Sequence, residues 1–369
     1  MYKILFVEDQ KDAVIDAKEL LEKSAEHFCK ICDFHEAENY VLDFSPDVIV
    51  LDLLKGATSS GSVQEGRKTL ELIWKLRFCP IIFYSAEPGL LDDDRRVREH
   101  PFIKRVQKGG GSPKLIEKTF GEFKGHIDAM KSTKFLLDQA FHVAIRDLAE
   151  LVFKRFSNNE TRDELLKRCG LRRVSALIDC LDTQKKICSW EQFVFPPIGE
   201  SIMLGDIIRV TSDNSGQATS FRVVLTPSCD LAMNTGRKNN VRKALVAKCF
   251  QISELKARTD LCKLSKGKKK KDLKDILITN VLSKGFYQKM LVIPNLPGVI
   301  PDMVANLKEL EFVSISNIST DGKKKFVRVA SVDSPFRELV SWAYMQISCR
   351  PGLPDRDFVS WFDQIYPQL

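Results

Sequence analysis

The first 120 residues alternate five short apolar runs with amphipathic stretches, and this rhythm restricts the fold more than any other feature of the chain. KILFVED, KICDFHEA, PDVIVLDLL, CPIIFYSA and FIKRVQK are bounded by charge or turn residues and read as buried strands. AVIDAKELLEKSAEHF, ENYVLDFS, GRKTLELIWKLR, LLDDDRRVREH and SPKLIEKTFGEFK read as the helices that follow them. Strands that alternate with helices predict an α/β doubly wound, five-stranded parallel sheet. Ligands on that architecture sit outside the carboxyl ends of the strands.

Polar residues gather at those ends. Glu8 and Asp9 close the first run, Asp52 the third, Ser85 the fourth and Lys108 the fifth. Three carboxylates, a hydroxyl and an ammonium on one rim suit Mg2+, which takes one or two carboxylates and keeps several waters. The metal would neutralise phosphoryl oxygens while Asp52 attacks phosphorus in line, forming an acyl phosphate. Ser85 could hydrogen-bond one phosphoryl oxygen and Lys108 could pair with another.

Carrying these five residues in this order, residues 1–120 resemble the receiver domain of two-component response regulators, a flavodoxin-like fold. The resemblance implies that Glu8 and Asp9 are the metal-binding acidic pair and that Asp52 is the phosphoacceptor and a further metal ligand. It implies Ser85, Lys108 and the position of Arg105 as switch residues, Mg2+ as cofactor, and a histidine kinase or another phosphodonor as partner. Three positions depart from the pattern. The glycine expected about eight residues after the phosphoacceptor matches Gly66, fourteen residues on, so the KGATSSGSVQEG loop is long and reads as a flap or a partner site. Gly109, Gly110 and Gly111 follow Lys108 where a proline is usual, and Arg105 replaces the aromatic that normally precedes the lysine by three.

From Phe120 to Phe156 no proline occurs, and apolar residues recur at Met130, Leu137, Ala144 and Leu151. This seven-residue spacing predicts a long helix with a heptad-like seam. Its partner is either a second copy, giving a homodimer through 124–156, or the amphipathic segment TRDELLKRCGLRRVSALIDCLD at 161–182. The expected organisation is a domain at 1–120, a helical connector at 121–190 and a β-rich effector at 191–369.

After Trp190 the chain turns to β-branched runs punctuated by Gly, Pro, Asn and Asp. GDIIRV and FRVVLTP read as neighbouring strands, RKALVAKCF, KMLVIPNLP, ELEFVSIS and KKFVRVAS as further ones, and STDGKKK as a hairpin turn. Short strands with tight turns suggest a small barrel, with two amphipathic helices at the end. Residues 205–250 resemble the SH3-like barrel of MazF/PemK-type proteins, a family that includes endoribonucleases acting without histidine. Arg222 stands one or two positions later than the arginine of that pattern. Thr226, Cys229 and Asp230, in TPSCDL, complete a candidate effector site, and Arg222 or Arg237 could supply a positive field for the thiol.

Charge divides the chain. Residues 1–120 hold 18 Lys+Arg and 21 Asp+Glu, which is −3, so the remainder of the +8 chain is +11. Lys268, Lys269, Lys270 and Lys271 lie in the densest run, and Lys323, Lys324 and Lys325 follow the Asp-Gly turn. They are candidate contacts to RNA or DNA phosphates, although no helix-turn-helix or zinc-finger spacing is present. All five histidines precede residue 143, which excludes a histidine-dependent mechanism housed wholly in the back half. The ten cysteines, in a chain whose start is too acidic for a signal peptide, read as reduced thiols. No apolar run is long enough to span a membrane, and a cytoplasmic location is expected. Together these features predict a signalling protein whose phosphorylated receiver controls a C-terminal effector. The alternatives are a receiver-gated MazF-like ribonuclease, or a degenerate receiver serving as a docking scaffold in a multi-protein assembly such as a defence system.

Overall fold

In a parallel sheet buried on both faces, successive residues of each strand must feed two different cores, and the front half does this. The computed structural model describes residues 1–54, 60–180, 186–212, 216–232, 240–265, 267, 269–349 and 357–368, and divides into two units, Met1–Gln184 and Lys185–Leu369. In the first unit β1 (Tyr2–Val7), β2 (His27–Cys32), β3 (Val48–Leu51), β4 (Ile81–Ser85) and β5 (Ile103–Gln107) form a parallel sheet in the order β2-β1-β3-β4-β5. Leu5, Val7, Ile49, Leu51, Ile81 and Phe83 enter one core. Ile4, Phe6, Val48, Val50, Ile82 and Tyr84 enter the other. The connecting helices are α1 (Asp12–Glu22), α2 (Ala37–Phe44), α3 (Ser60–Leu76) and α4 (Arg95–Arg98). The doubly wound architecture is thus the one the alternation predicts.

Three boundaries differ. The expected helix through Phe28 ends at Glu22, and His27–Cys32 pairs with β1 from Tyr2↔His27 to Val7↔Cys32. This places Cys29 and Cys32 in the two opposite cores, so they cannot share a metal. LLDDDRRVREH yields only the four-residue α4, because its carboxylates reach across to neighbouring elements, Asp92 to Arg105 and Asp93 to Arg67. Residues 55–59 of the long loop lie outside the described residues, and from Ser60 the segment is already helix α3.

Gly66 of α3 backs directly onto the main chain beside Asp52. A Cβ there would lie 2.6 Å from the Leu53 carbonyl oxygen and 2.9 Å from its Cα. Backbone cannot yield as a flexible side chain can, so α3 or the loop after β3 must move. Gly66→Ala is therefore expected to cost about 1–3 kcal/mol, the usual range for overpacking. A urea midpoint equal to wild type would show that this contact is slack.

Helix α5 (Ser112–Arg155) is 44 residues long and runs without a break from the parallel sheet into the predicted connector. Helix α6 (Asn159–Cys180) folds back along it, and Arg173 pairs with Asp147 at 2.7 Å. The intramolecular hairpin read from 161–182 is thus present.

The second unit is a nine-stranded sheet built from β6 (Phe193–Val194), β7 (Asp206–Val210), β8 (Phe221–Val224), β9 (Lys243–Gln251), β10 (Phe286–Tyr287), β11 (Met290–Ile293), β12 (Met303–Ser314), β13 (Ile318–Ser319) and β14 (Phe326–Val332). The ladder runs β10-β11-β12-β9-β8-β7-β14-β13, with β6 on β14, and every pair is antiparallel except β13–β14. The expected barrel is corrected: among the described residues the ladder does not close. Its helices are α7 (Ser228–Leu231), α8 (Glu254–Arg258), α9 (Leu261–Ser265), α10 (Lys270–Leu277), α11 (Phe336–Ser348) and α12 (Phe358–Ile365). Val340, Ala343 and Ile347 of α11 join Ile207, Val223 and Ala247 in one core. One sheet face is therefore covered by a helix instead of curling onto itself. STDGKKK does not make the expected hairpin either, because its flanking strands β13 and β14 pair in parallel.

A fully buried ion pair ties this unit together. Arg328 of β14 donates to Asp206 at 3.3 Å and to the carbonyls of Ile198, Gly199 and Ser201. Asp206 also accepts from Ser331 Oγ at 2.6 Å and from the Met203 N–H at 2.8 Å. Burial pushes the Asp206 carboxyl above its ordinary range, opposed by these hydrogen bonds and by the guanidinium. No helix among the described residues is long and apolar enough to cross a membrane.

Candidate functional site

The strand order reverses between β1 and β3, and on doubly wound sheets ligands bind at that point, outside the carboxyl ends of the strands. Chain direction delivers the polar residues there. Glu8 and Asp9 leave β1, Asp52 leaves β3, Ser85 is the last residue of β4, and Lys108 follows β5. Main-chain hydrogen bonds fix these exits: Glu8 N–H to the Cys32 carbonyl, Asp52 N–H to Val7 and Lys108 N–H to Ser85.

Carboxylate oxygens of Glu8, Asp9 and Asp52 lie within 4.8 Å of one another, with Glu8 and Asp52 buried and Asp9 open to solvent. The Lys108 ammonium sits between the two buried ones, 2.6 Å from Glu8 Oε2 and 2.7 Å from Asp52 Oδ2. Asp52 Oδ1 accepts from the N–H groups of Leu53 and Leu54 at 2.6 and 3.2 Å. Burial pushes the Glu8 carboxyl up to about 7; the Lys108 hydrogen bond opposes the rise and the Asp52 charge adds to it. For Lys108 burial works against the charge, but the bonds to Asp52 and Glu8 outweigh it and raise the pKa. Ser85 is fully buried and its Oγ has no hydrogen-bond partner. An unsatisfied buried hydroxyl costs about 1–3 kcal/mol, so an acceptor that reaches it would be held strongly.

Three clustered hard oxygen donors fit Mg2+ better than a soft metal. The close approach of buried like charges is what a divalent cation relieves. Glu8, Asp9 and Asp52 would hold it. The sequence reading named all five residues of this cluster.

Arg105, already singled out in the sequence, pairs with Asp92 at 2.5 Å, which ties β5 to the segment after β4. Of the residues around the cluster, the sequence reading missed Tyr84. Tyr84 precedes Ser85, shares a hydrogen bond of 2.8 Å with Ser112 Oγ at the start of α5, and lies 5.6 Å from the Lys108 ammonium. Gly111 caps α5 with φ +84°, the left-handed conformation that glycine adopts without strain.

The candidate effector residues in the second unit do not form a comparable cluster. Arg222 is bound to Glu311 at 2.5 Å and to the carbonyls of Thr219 and Phe221. Thr226 is buried and accepts from the Leu245 N–H at 2.7 Å. Cys229 and Asp230 lie in α7, where Asp230 accepts from Asn240 at 3.2 Å, and Arg237 lies outside the described residues. Lys269, Lys270 and Lys271 are exposed at the start of α10, whereas Lys268 lies outside the described residues. Lys323, Lys324 and Lys325 are exposed beside Asp321, which pairs with Lys323 at 3.0 Å.

No family model and no curated protein matches the chain. Solved structures similar to about a third of the chain include the N-terminal domain of a response regulator/sensory box/GGDEF 3-domain protein from Carboxydothermus hydrogenoformans. It is 22% identical with a TM-score of 0.27, covering 36% of this chain and 98% of that one. The receiver domain of the Francisella response regulator 1452 is 20% identical with a TM-score of 0.25, covering 34% and 99%.

Proposed function

We propose that the first unit is a receiver that takes a phosphoryl group on Asp52 and thereby controls a C-terminal effector. One observation carries the reading: a buried aspartate at a strand end is flanked by two further carboxylates, an ammonium and a buried hydroxyl without a partner. In the transfer the Asp52 carboxylate forms a bond to phosphorus as the bond to the donor's leaving atom breaks. Glu8, Asp9 and Asp52 would hold Mg2+, which would supply charge neutralisation for the phosphoryl oxygens. Lys108 gives up its contact with Asp52 to pair with one phosphoryl oxygen, and Ser85 donates to another. The donor is a histidine kinase or a small acyl phosphate. The exposed lysines of the second unit favour a polyanionic or acidic partner for the effector. The commitment of Arg222 to Glu311 favours binding over RNA cleavage.

Beryllium fluoride, an acyl-phosphate mimic, together with Mg2+ should raise the unfolding temperature of the chain. At 100 times its Kd a ligand contributes about 2.7 kcal/mol. Neither component alone should match the pair. An unshifted transition with both present would sink the reading and leave a docking platform in its place.

A further inference from the structure

The α5–α6 hairpin exposes several large apolar side chains. Met130, Leu137 and Leu151 of α5 stand at multiples of seven residues and are 37%, 43% and 51% exposed, with Phe141 at 49% between them. Ala144, at the same spacing, is fully buried. On α6, Leu171 and Ile178 are again seven apart and are 63% and 38% exposed. Helix α5 thus carries a heptad-spaced apolar row, and α6 a pair at the same spacing. Helices with such rows pack at the shallow angles of four-helix bundles. A cavity of about 420 Å³, lined by Leu136, Ala140, Val143 and Leu177 among others, opens between α5 and α6. A pair of helices alone leaves this seam loosely filled.

We propose that this face binds the same face of a second copy, making a homodimer through a four-helix bundle. Area and charge select that occupant. The six large side chains, 37% to 63% exposed, keep roughly half of their surface available for burial. With their polar neighbours this approaches the ~800 Å² per partner of a standard interface. Residues 130–180 contain ten Lys+Arg and seven Asp+Glu, mixed along both helices. A surface of mixed sign complements a copy of itself and presents no single-sign field for nucleic acid or an anionic membrane.

Sedimentation equilibrium of the full chain between about 1 and 100 µM, the range where a Kd near 1 µM is measurable, tests the proposal. The wild type should sediment as a dimer. The double substitution Leu137→Lys with Phe141→Lys should raise Kd at least about 100-fold, since it places charge in a desolvated interface. Both side chains are half exposed in one copy, so circular dichroism should show the variant folded. Trp361→Lys serves as the control, because Trp361 is exposed on the separate apolar helix α12; it should leave the dimer intact. A monomeric wild type, or a dimer dissociated by Trp361→Lys and not by the hairpin pair, would overturn the proposal.

Discussion

Asp52→Asn is expected to reduce labelling by radioactive acetyl phosphate and Mg2+ to background. The asparagine side chain is nearly the same size, and its Oδ1 can still accept from Leu53 and Leu54. The fold should therefore persist. What disappears is the carboxylate nucleophile, because a neutral amide does not form the acyl phosphate. One of the three clustered carboxylates disappears with it. Glu8→Gln should retain the nucleophile and lose a metal ligand, so its labelling should fall and partly recover as Mg2+ is raised. The two variants thus separate attack from metal binding. Labelling of Asp52→Asn at the wild-type rate would place the phosphate on another residue and remove the central claim.

The second large effect concerns stability and lies in the other unit. Arg328→Ala is expected to cost about 3–5 kcal/mol, the range for breaking a buried ion pair from one side. The guanidinium is 1% exposed and is the shared donor for Asp206 and for three carbonyls of the 198–201 segment. Its removal leaves Asp206, whose pKa burial already raises, without its cation. The double substitution Arg328→Met with Asp206→Leu removes both charges and should recover much of the loss, since buried pairs replaced by apolar residues are often neutral. Urea unfolding monitored in the second unit measures both. A loss below about 1 kcal/mol, the scale of a surface pair, would show that water reaches the guanidinium.

The front half was legible because its two signals reinforce each other. Apolar runs such as VIVL and IIFYS fix the strands, and Asp52 and Ser85 stand where those runs end. The back half offered strands without an order. GDIIRV and FRVVLTP are neighbours as read, with Ile207 opposite Val223. But β12 spends its length on β9 and passes β14 by, and a period-two pattern contains nothing that specifies this partner. The Asp-Gly turn misled for the same reason: it reports a local reversal, and the parallel pairing of Ile318 with Phe326 is set by the sheet around it. Arg328 was invisible because a buried arginine and a surface arginine look alike in a strand that alternates, and only its placement opposite Ile208 reveals the difference.

The length of α5 has a mechanical meaning. Forty-four residues at 1.5 Å each make a rod of about 66 Å, held over its first part by Ser112 against Tyr84, the neighbour of Ser85, and by Ile116, Phe120, Phe123 and Ile127 in the core of the sheet. A tilt of about 5° at the last of these, about 42 Å from the far end, sweeps that end through about 4 Å. That is comparable to the width of a side chain, so a small rearrangement around Ser85 that tilts the helix is enlarged at the tip of the hairpin.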